Sequence, residues 1–262
     1  MMPSALDAWL ALLVRSCEQA QTCCLDVIVD QAGGPTSVLP SAKAVEPPLP
    51  WRSLFAELPE AGAEHIAPLL LRIDLANPLQ RQWFAGLLRN VKVESQILVL
   101  ASHWPFPALA DYLGRCLEAR NGGYLGLLRY YDPRLFPLLF SHVLAPDQQQ
   151  VLLRPAVFWS WLDRDGQPQR QVGIHDTPVA ADEFCVLELS DNQVDSLGCA
   201  SDATALLKRV PAQTGGQSSA QQCFQACYLA MLQATEAGLI GDNEREAFVL
   251  AKLQAERNGG AS

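Results

Sequence analysis

The sequence predicts an α/β (α+β) protein, with an N-terminal mixed sheet flanked by helices and then a small C-terminal helical lobe. Three observations predict it. Short apolar runs alternate with amphipathic ones over the first two-thirds of the 262 residues. Asn77-Pro78 and Asp132-Pro133 each place a strong helix N-cap before a proline that loses no hydrogen bond at the first helical position. Beyond residue 176 the strand texture gives way to three helical stripes, which can bury their apolar faces only on one another. The chain therefore divides into an α/β domain, 1–176, and a helical lobe, 177–262.

The elements follow in order. Leu6, Leu10, Leu13 and Cys17 recur at helical spacing after a Ser4 cap, predicting a helix over 4–20. Cys24–Asp30 reads as a strand ended by Gly33-Gly34-Pro35, and the Pro- and Ser-rich stretch to Pro50 as a long loop. Trp51–Leu58 suggests a short helix, Ala67–Asp74 a second strand, and Pro78–Asn90 a capped helix. Gln96–Ser102 is a third strand, followed by a helix from Pro107 to Arg120 that Asn121-Gly122-Gly123 stops. Leu127–Tyr131 predicts a strand and Pro133 onward a helix to about Leu144, with a further turn from Pro146 to Leu153. Pro155–Leu162 and Gln169–Ile174 flank Asp165-Gly166, a hairpin signal. In the tail, an apolar segment Phe184–Leu189 precedes a Ser190-capped helix, a Pro211–Gly216 linker, a helix from Ser218 or Ser219, and a last helix capped by Asp242.

Composition narrows the partners. The net charge is -9 and no stretch gathers Lys and Arg into a stripe, so nucleic acid and anionic membrane are disfavoured. No stretch is apolar enough to span a bilayer, and the apolar start carries Asp7 where a signal peptide would carry a basic region, so a cytoplasmic protein is expected. A charged fraction of 18% together with 6 Trp and 18 Pro is consistent with a surface partly covered by a partner, or simply with a large core. The 8 cysteines show no CxxC pair and mostly sit in apolar periodic stretches; Cys223 and Cys227, four apart, would need a matching pair to hold a metal and read as buried small hydrophobes. No cofactor and no metal is expected.

The search for catalytic patterns finds no GxSxG elbow, no phosphate-binding loop and no HExxH. Ser102-His103 and Ser141-His142 are chain neighbours, which rarely face each other productively. Asp26, Asp30 and Asp74 lie in or at the ends of strands, where they would form either a carboxylate cluster or ion pairs with Arg72, Arg129 or Arg134; pairing is favoured. Arg129, Asp132 and Arg134 read as a structural corner rather than an anion site. Phe158, Trp159 and Trp161 read either as a partner-binding ridge or as core, with alternation placing Phe158 on one sheet face and the tryptophans on the other; burial of at least one face is favoured.

Arg129-Tyr130-Tyr131-Asp132-Pro133-Arg134, the strand Leu25–Asp30, Pro68–Leu71, the Pro107–Leu117 helix and Pro155–Trp161 with Asp165-Gly166 together resemble the type VI secretion effector adaptor-chaperone family. This family is often called Tap or Tec and was first catalogued as a domain of unknown function. The resemblance covers residues 22–165. It implies a non-enzymatic cytoplasmic adaptor that binds an effector toxin and the VgrG spike, loads one onto the other, and uses the signature structurally. The sheet lobe is assigned to one partner and the helical lobe to the other. The competing readings are an immunity-type inhibitor, which the acidity would suit, and a hydrolase using Asp26, Asp74 and Asp132.

Overall fold

A computed structural model describes residues 5–32, 34, 37–178, 184–209 and 219–259. The chain forms two compact units, Met1–Glu188 and Leu189–Ser262.

The first unit opens with helix α1 (Ala5–Gln19) and strand β1 (Cys24–Val29). A short helix α2 (Leu39–Lys43) lies within the stretch expected to be loop. Strand β2 (Trp51–Ser53) and a 3-10 turn then lead to β3 (Leu69–Asp74). Next come α3 (Pro78–Asn90), one turn α4 (Val93–Gln96), β4 (Ile97–Ala101) and α5 (Phe106–Arg115). Strands β5 (Glu118–Asn121) and β6 (Tyr124–Leu127) precede α6 (Phe136–Leu138), which continues as a π-helical turn over Leu139–Val143. Helix α7 (Pro146–Leu153), the hairpin of β7 (Phe158–Leu162) and β8 (Pro168–Val172), and β9 (Leu187–Glu188) complete the unit.

Six strands form one sheet in the order β2-β3-β1-β4-β7-β8, with every pairing antiparallel. The architecture is α+β. β1 is paired on both edges and buried on both faces, which is why it reads as an almost unbroken apolar run. On one face Val27, Val29, Leu71, Val99 and Phe158 pack against Trp9 and Leu13 of α1 and Phe84 of α3. Trp9 Nε1 donates to Ser160 Oγ at 2.8 Å, tying α1 to β7 across the core. On the other face, Trp159 meets Tyr130 and Phe136, with ring centroids 6.3 and 5.0 Å away. A second sheet, β6-β5-β9, joins β5 to β9 in parallel. That pairing holds residues 187–188 to the first unit, twelve residues past the boundary expected at 176.

Several elements differ from the sequence expectation. Trp51–Ser53 pairs with β3 through Trp51↔Leu71 rather than forming a helix, because a sheet edge next to it outweighs weak local propensity. The helix expected to reach Arg120 stops at Arg115, and Glu118–Asn121 becomes a strand. Asn121-Gly122-Gly123 is therefore a two-residue hairpin turn rather than a helix stop; both glycines have positive φ, +54° and +88°, as the twist of a tight hairpin requires. The strand expected through Tyr131 ends at Leu127, and the helix expected from Pro133 begins at Phe136.

The second unit contains α8 (Asp191–Arg209), α9 (Ala220–Glu236) and α10 (Asp242–Gly259). Ser190 and Ser219 each accept from an N–H three residues on, while Gln193 and Gln222 reach back to the cap N–H, forming two capping boxes. Gly238, at φ +74°, ends α9. The core is Phe224, Cys227, Tyr228 and Met231 of α9 with Cys199, Ala203 and Leu206 of α8 and Val249 of α10. Arg245 of α10 donates to Thr235 Oγ1 and pairs with Asp202 of α8, joining all three helices. Ser4, Gly33, Pro35 and the Pro211–Gly216 linker lie outside the described residues. Among those described, no helix is long and apolar enough to cross a membrane.

Candidate functional site

The Arg129–Arg134 stretch folds as a tight turn with both tyrosines buried, Asp132 and Arg134 half-buried and Arg129 exposed. Leu128 N–H donates to the Leu117 carbonyl, and Tyr130 N–H turns back to Leu128, which ends β6 and sends both tyrosines inward. Tyr130 is fully buried, and its hydroxyl donates to the Leu113 carbonyl at 2.9 Å. Asp132 Oδ1 accepts the Arg134 N–H, and both carboxylate oxygens accept from the Arg134 guanidinium. The Asp132 carbonyl accepts from Leu135 and Phe136, so the turn that Pro133 opens feeds directly into α6. Arg129 reaches 99 residues back to Asp30, with Nη2 2.7 Å from Oδ2. Asp132→Ala should therefore cost about 1 kcal/mol or more, chiefly through the lost N–H acceptor. Urea denaturation would measure it, and an unchanged midpoint would contradict the structural role.

The expected arginine pairing holds for two of the three strand carboxylates. Asp26 lies directly across from Arg72 and receives both Nε and Nη2, at 2.7 and 2.8 Å. Arg72 also donates to the Trp104 carbonyl. Burial pushes the Asp26 carboxyl up to about 6, although the Arg72 ion pair opposes the shift. Asp30 takes Arg129. Asp74 instead accepts the Ala76 N–H, and its side chain lies beside Cys23 and Cys24. With Asp26 and Asp132 each held by an arginine, the three carboxylates proposed for hydrolysis do not converge as a free acid-base set.

Phe158, Trp159 and Trp161 are 0%, 0% and 6% exposed. The alternation is as expected, but β7 lies between β4 and β8 with both faces covered, so this run is core rather than a ridge presented to a partner. Two contacts were not anticipated. Ser141 Oγ and His142 Nδ1 lie 2.6 Å apart although the residues are chain neighbours. His103 and His175 stand edge-to-face at 5.0 Å, both exposed.

A cavity of about 710 Å³ lies between α3 and the 37–46 segment, with the end of β1 in its lining. The segment is pinned on three sides. Gln31 accepts from Ser37 Oγ and donates to the carbonyls of Glu64 and Ala67. Trp83 Nε1 donates to Ser41 Oγ, and Gln80 donates to the Pro47 carbonyl. Asn77 caps α3 by accepting from Leu79 and Gln80, which sets the helix angle along the groove. The walls alternate apolar groups such as Val38, Trp83 and Leu87 with amides of Gln82, Asn90 and Gln96; among the described residues, the charged ones in the lining are Asp30 and Glu46. Asp30 belongs to both features: its Oδ2 faces Arg129, and its backbone at the cavity base exchanges hydrogen bonds with Gln96. One ion pair thus links the signature turn to the floor of the groove. Sequence reading missed the cavity because residues 31–50 look only like a loop, and nothing local shows that α3 will lie over them.

No curated protein and no solved structure matches the chain. A family model described as a domain of unknown function, DUF4123, matches residues 27–151, a span that contains every residue lining the groove together with the Arg129–Arg134 turn, and over that span, just under half of its length, the chain is similar to that family.

Proposed function

We propose that this protein is a cytoplasmic adaptor-chaperone of a type VI secretion system, which holds a segment of an effector toxin in the groove between α3 and residues 37–46 until the toxin is passed to the VgrG spike. The observation that carries the reading is the groove. It is a cleft lined by apolar and amide groups with two carboxylates and, among the described residues, no basic group, a lining suited to a peptide with apolar side chains and satisfiable backbone. Its place wholly inside the stretch similar to DUF4123 supports the same reading, as does the resemblance of the Arg129–Arg134 turn to the adaptor signature. The role needs no catalytic group. Binding would come from apolar surface buried on the partner and released when it docks elsewhere.

Gly86 provides the test. It lies on α3 at the groove wall, and a Cβ there would meet nothing within 4 Å. Gly86→Trp should therefore fill the cleft without unfolding the protein, since replacing a mid-helix glycine also favours the helix. Tagged protein recovered from cells making the secretion apparatus should bring down a toxin and a VgrG. The variant should recover about tenfold less toxin, equivalent to ~1.4 kcal/mol of lost contact. Full recovery with the cleft filled would move the binding surface elsewhere. Inhibition of the purified toxin's activity would favour the immunity reading instead.

A further inference from the structure

The turn between α1 and β1 brings together three donor groups that the groove and the signature do not use. β1 starts at Cys24, directly across the sheet from Asp74 at the end of β3. The Cys23 carbonyl accepts the Leu75 N–H at 2.8 Å, and Thr22 Oγ1 accepts the Cys24 N–H, so the backbone carrying both thiols is held against β3. Cys23 Sγ and Cys24 Sγ are 3.9 Å apart. Both sulfurs and a carboxylate oxygen of Asp74 lie within 4.8 Å of one another. Asp74 accepts the Ala76 N–H through Oδ1, which orients the carboxylate, and among the described residues no arginine pairs with it as one does with Asp26 and Asp30.

We propose that Cys23, Cys24 and Asp74 form a binding site for a thiophilic divalent cation of the zinc class, with three protein ligands and a fourth position open to solvent. The spacing supports this. Two sulfurs on one tetrahedral ion, each about 2.3 Å from it, stand roughly 3.8 Å apart. The existing 3.9 Å separation therefore needs almost no rearrangement. Donor chemistry selects the ion: two thiolates with one carboxylate favour zinc over magnesium or calcium, which take oxygen ligands. Cys23 is exposed and Cys24 and Asp74 are half-buried, so an ion can enter and its fourth position faces outward. Once bound, the ion clamps the α1–β1 turn to the end of β3.

Cobalt reports directly on thiolate ligation. Full-length protein, freed of metal and kept reduced with a phosphine, is titrated with Co²⁺ and then challenged with Zn²⁺. The expected result is a sulfur-to-cobalt charge-transfer absorption that saturates at about one equivalent and is bleached by zinc. Cys23→Ser with Cys24→Ser should abolish it while leaving metal-free thermal unfolding unchanged, since neither side chain is in the core. Asp74→Asn keeps the Oδ1 acceptor for Ala76 but removes the anionic ligand. It should weaken cobalt binding by at least the tenfold that loss of an outer-shell partner costs. No absorption in the wild-type protein, or absorption only at a large excess of metal, would overturn the proposal. So would absorption that persists in the double serine variant, which would place the ligands among other thiols such as Cys185 or Cys223.

Discussion

Replacing Arg72 by methionine should destabilise the protein by about 3–5 kcal/mol, because it leaves the carboxylate of Asp26 buried without its counter-ion. Asp26 is 0% exposed in the middle of the sheet, and the two hydrogen bonds from Arg72 are the contacts that compensate its charge. The loss should depend on pH in a defined direction. Burial already raises the Asp26 carboxyl to about 6, above its unfolded value near 3.9, so its contribution is fully favourable below about 4 and is lost as pH rises through about 6. Removing Arg72 raises the folded value further. The gap in urea midpoint between variant and wild type should therefore be widest near pH 7 and shrink as the pH is lowered towards 5. A second variant, Arg72→Met with Asp26→Leu, replaces the whole pair by apolar groups and should recover most of the loss. A gap independent of pH, or a double variant no better than the single, would show that the ion pair is not what Arg72 contributes.

Trp159→Ala should cost a similar amount, about 3–5 kcal/mol, through the cavity it leaves. Trp159 is fully buried, its ring meets Tyr130 and Phe136, and its Nε1 donates to the Leu152 carbonyl. Alanine would remove this packing and strand the Leu152 acceptor together with the ring of Tyr130. Chemical denaturation measures the loss. If the variant kept wild-type stability but no longer recovered a partner from cells, the aromatic run would be an interface and its burial in the sheet would be wrong.

Much of the sheet was legible because its central strands are buried on both faces and so appear as apolar runs. Leu25–Val29, Leu69–Ile73 and Ile97–Ala101 fall where those runs fall. The Asn77-Pro78 cap opened α3 as expected, since all of its determinants are local. Determinants distant in the chain were not legible. The stripe Leu109, Leu113, Cys116 and Leu117 continued a helical period towards Glu118, and only pairing with β6 and β9 shows that the chain has become a strand there. Tyr130 and Tyr131 look like strand residues, yet one hydrogen bond from Leu128 N–H to Leu117 turns them inward. The antiparallel direction of the whole sheet was invisible for the same reason, because intervening helices suggest crossovers but do not dictate strand direction. For the candidate sites, the Asp-Arg pairing could be anticipated from composition. The groove over residues 37–46, and the meeting of Cys23 and Cys24 with Asp74, depend on register that no local pattern carries.

The bond between Trp9 and Ser160 has a consequence for how the chain is made. Its ends are 151 residues apart, and β1 likewise pairs only with strands that come after it. At a synthesis rate of about 5–20 residues per second, roughly 8–30 s pass between emergence of the first partner and the second. For that time the apolar face of α1, with Trp9, Leu13 and Cys17, has no completed surface to cover. α1 is thus translated well before the strand it is tied to, and its apolar face reaches its final environment only when β7 has followed.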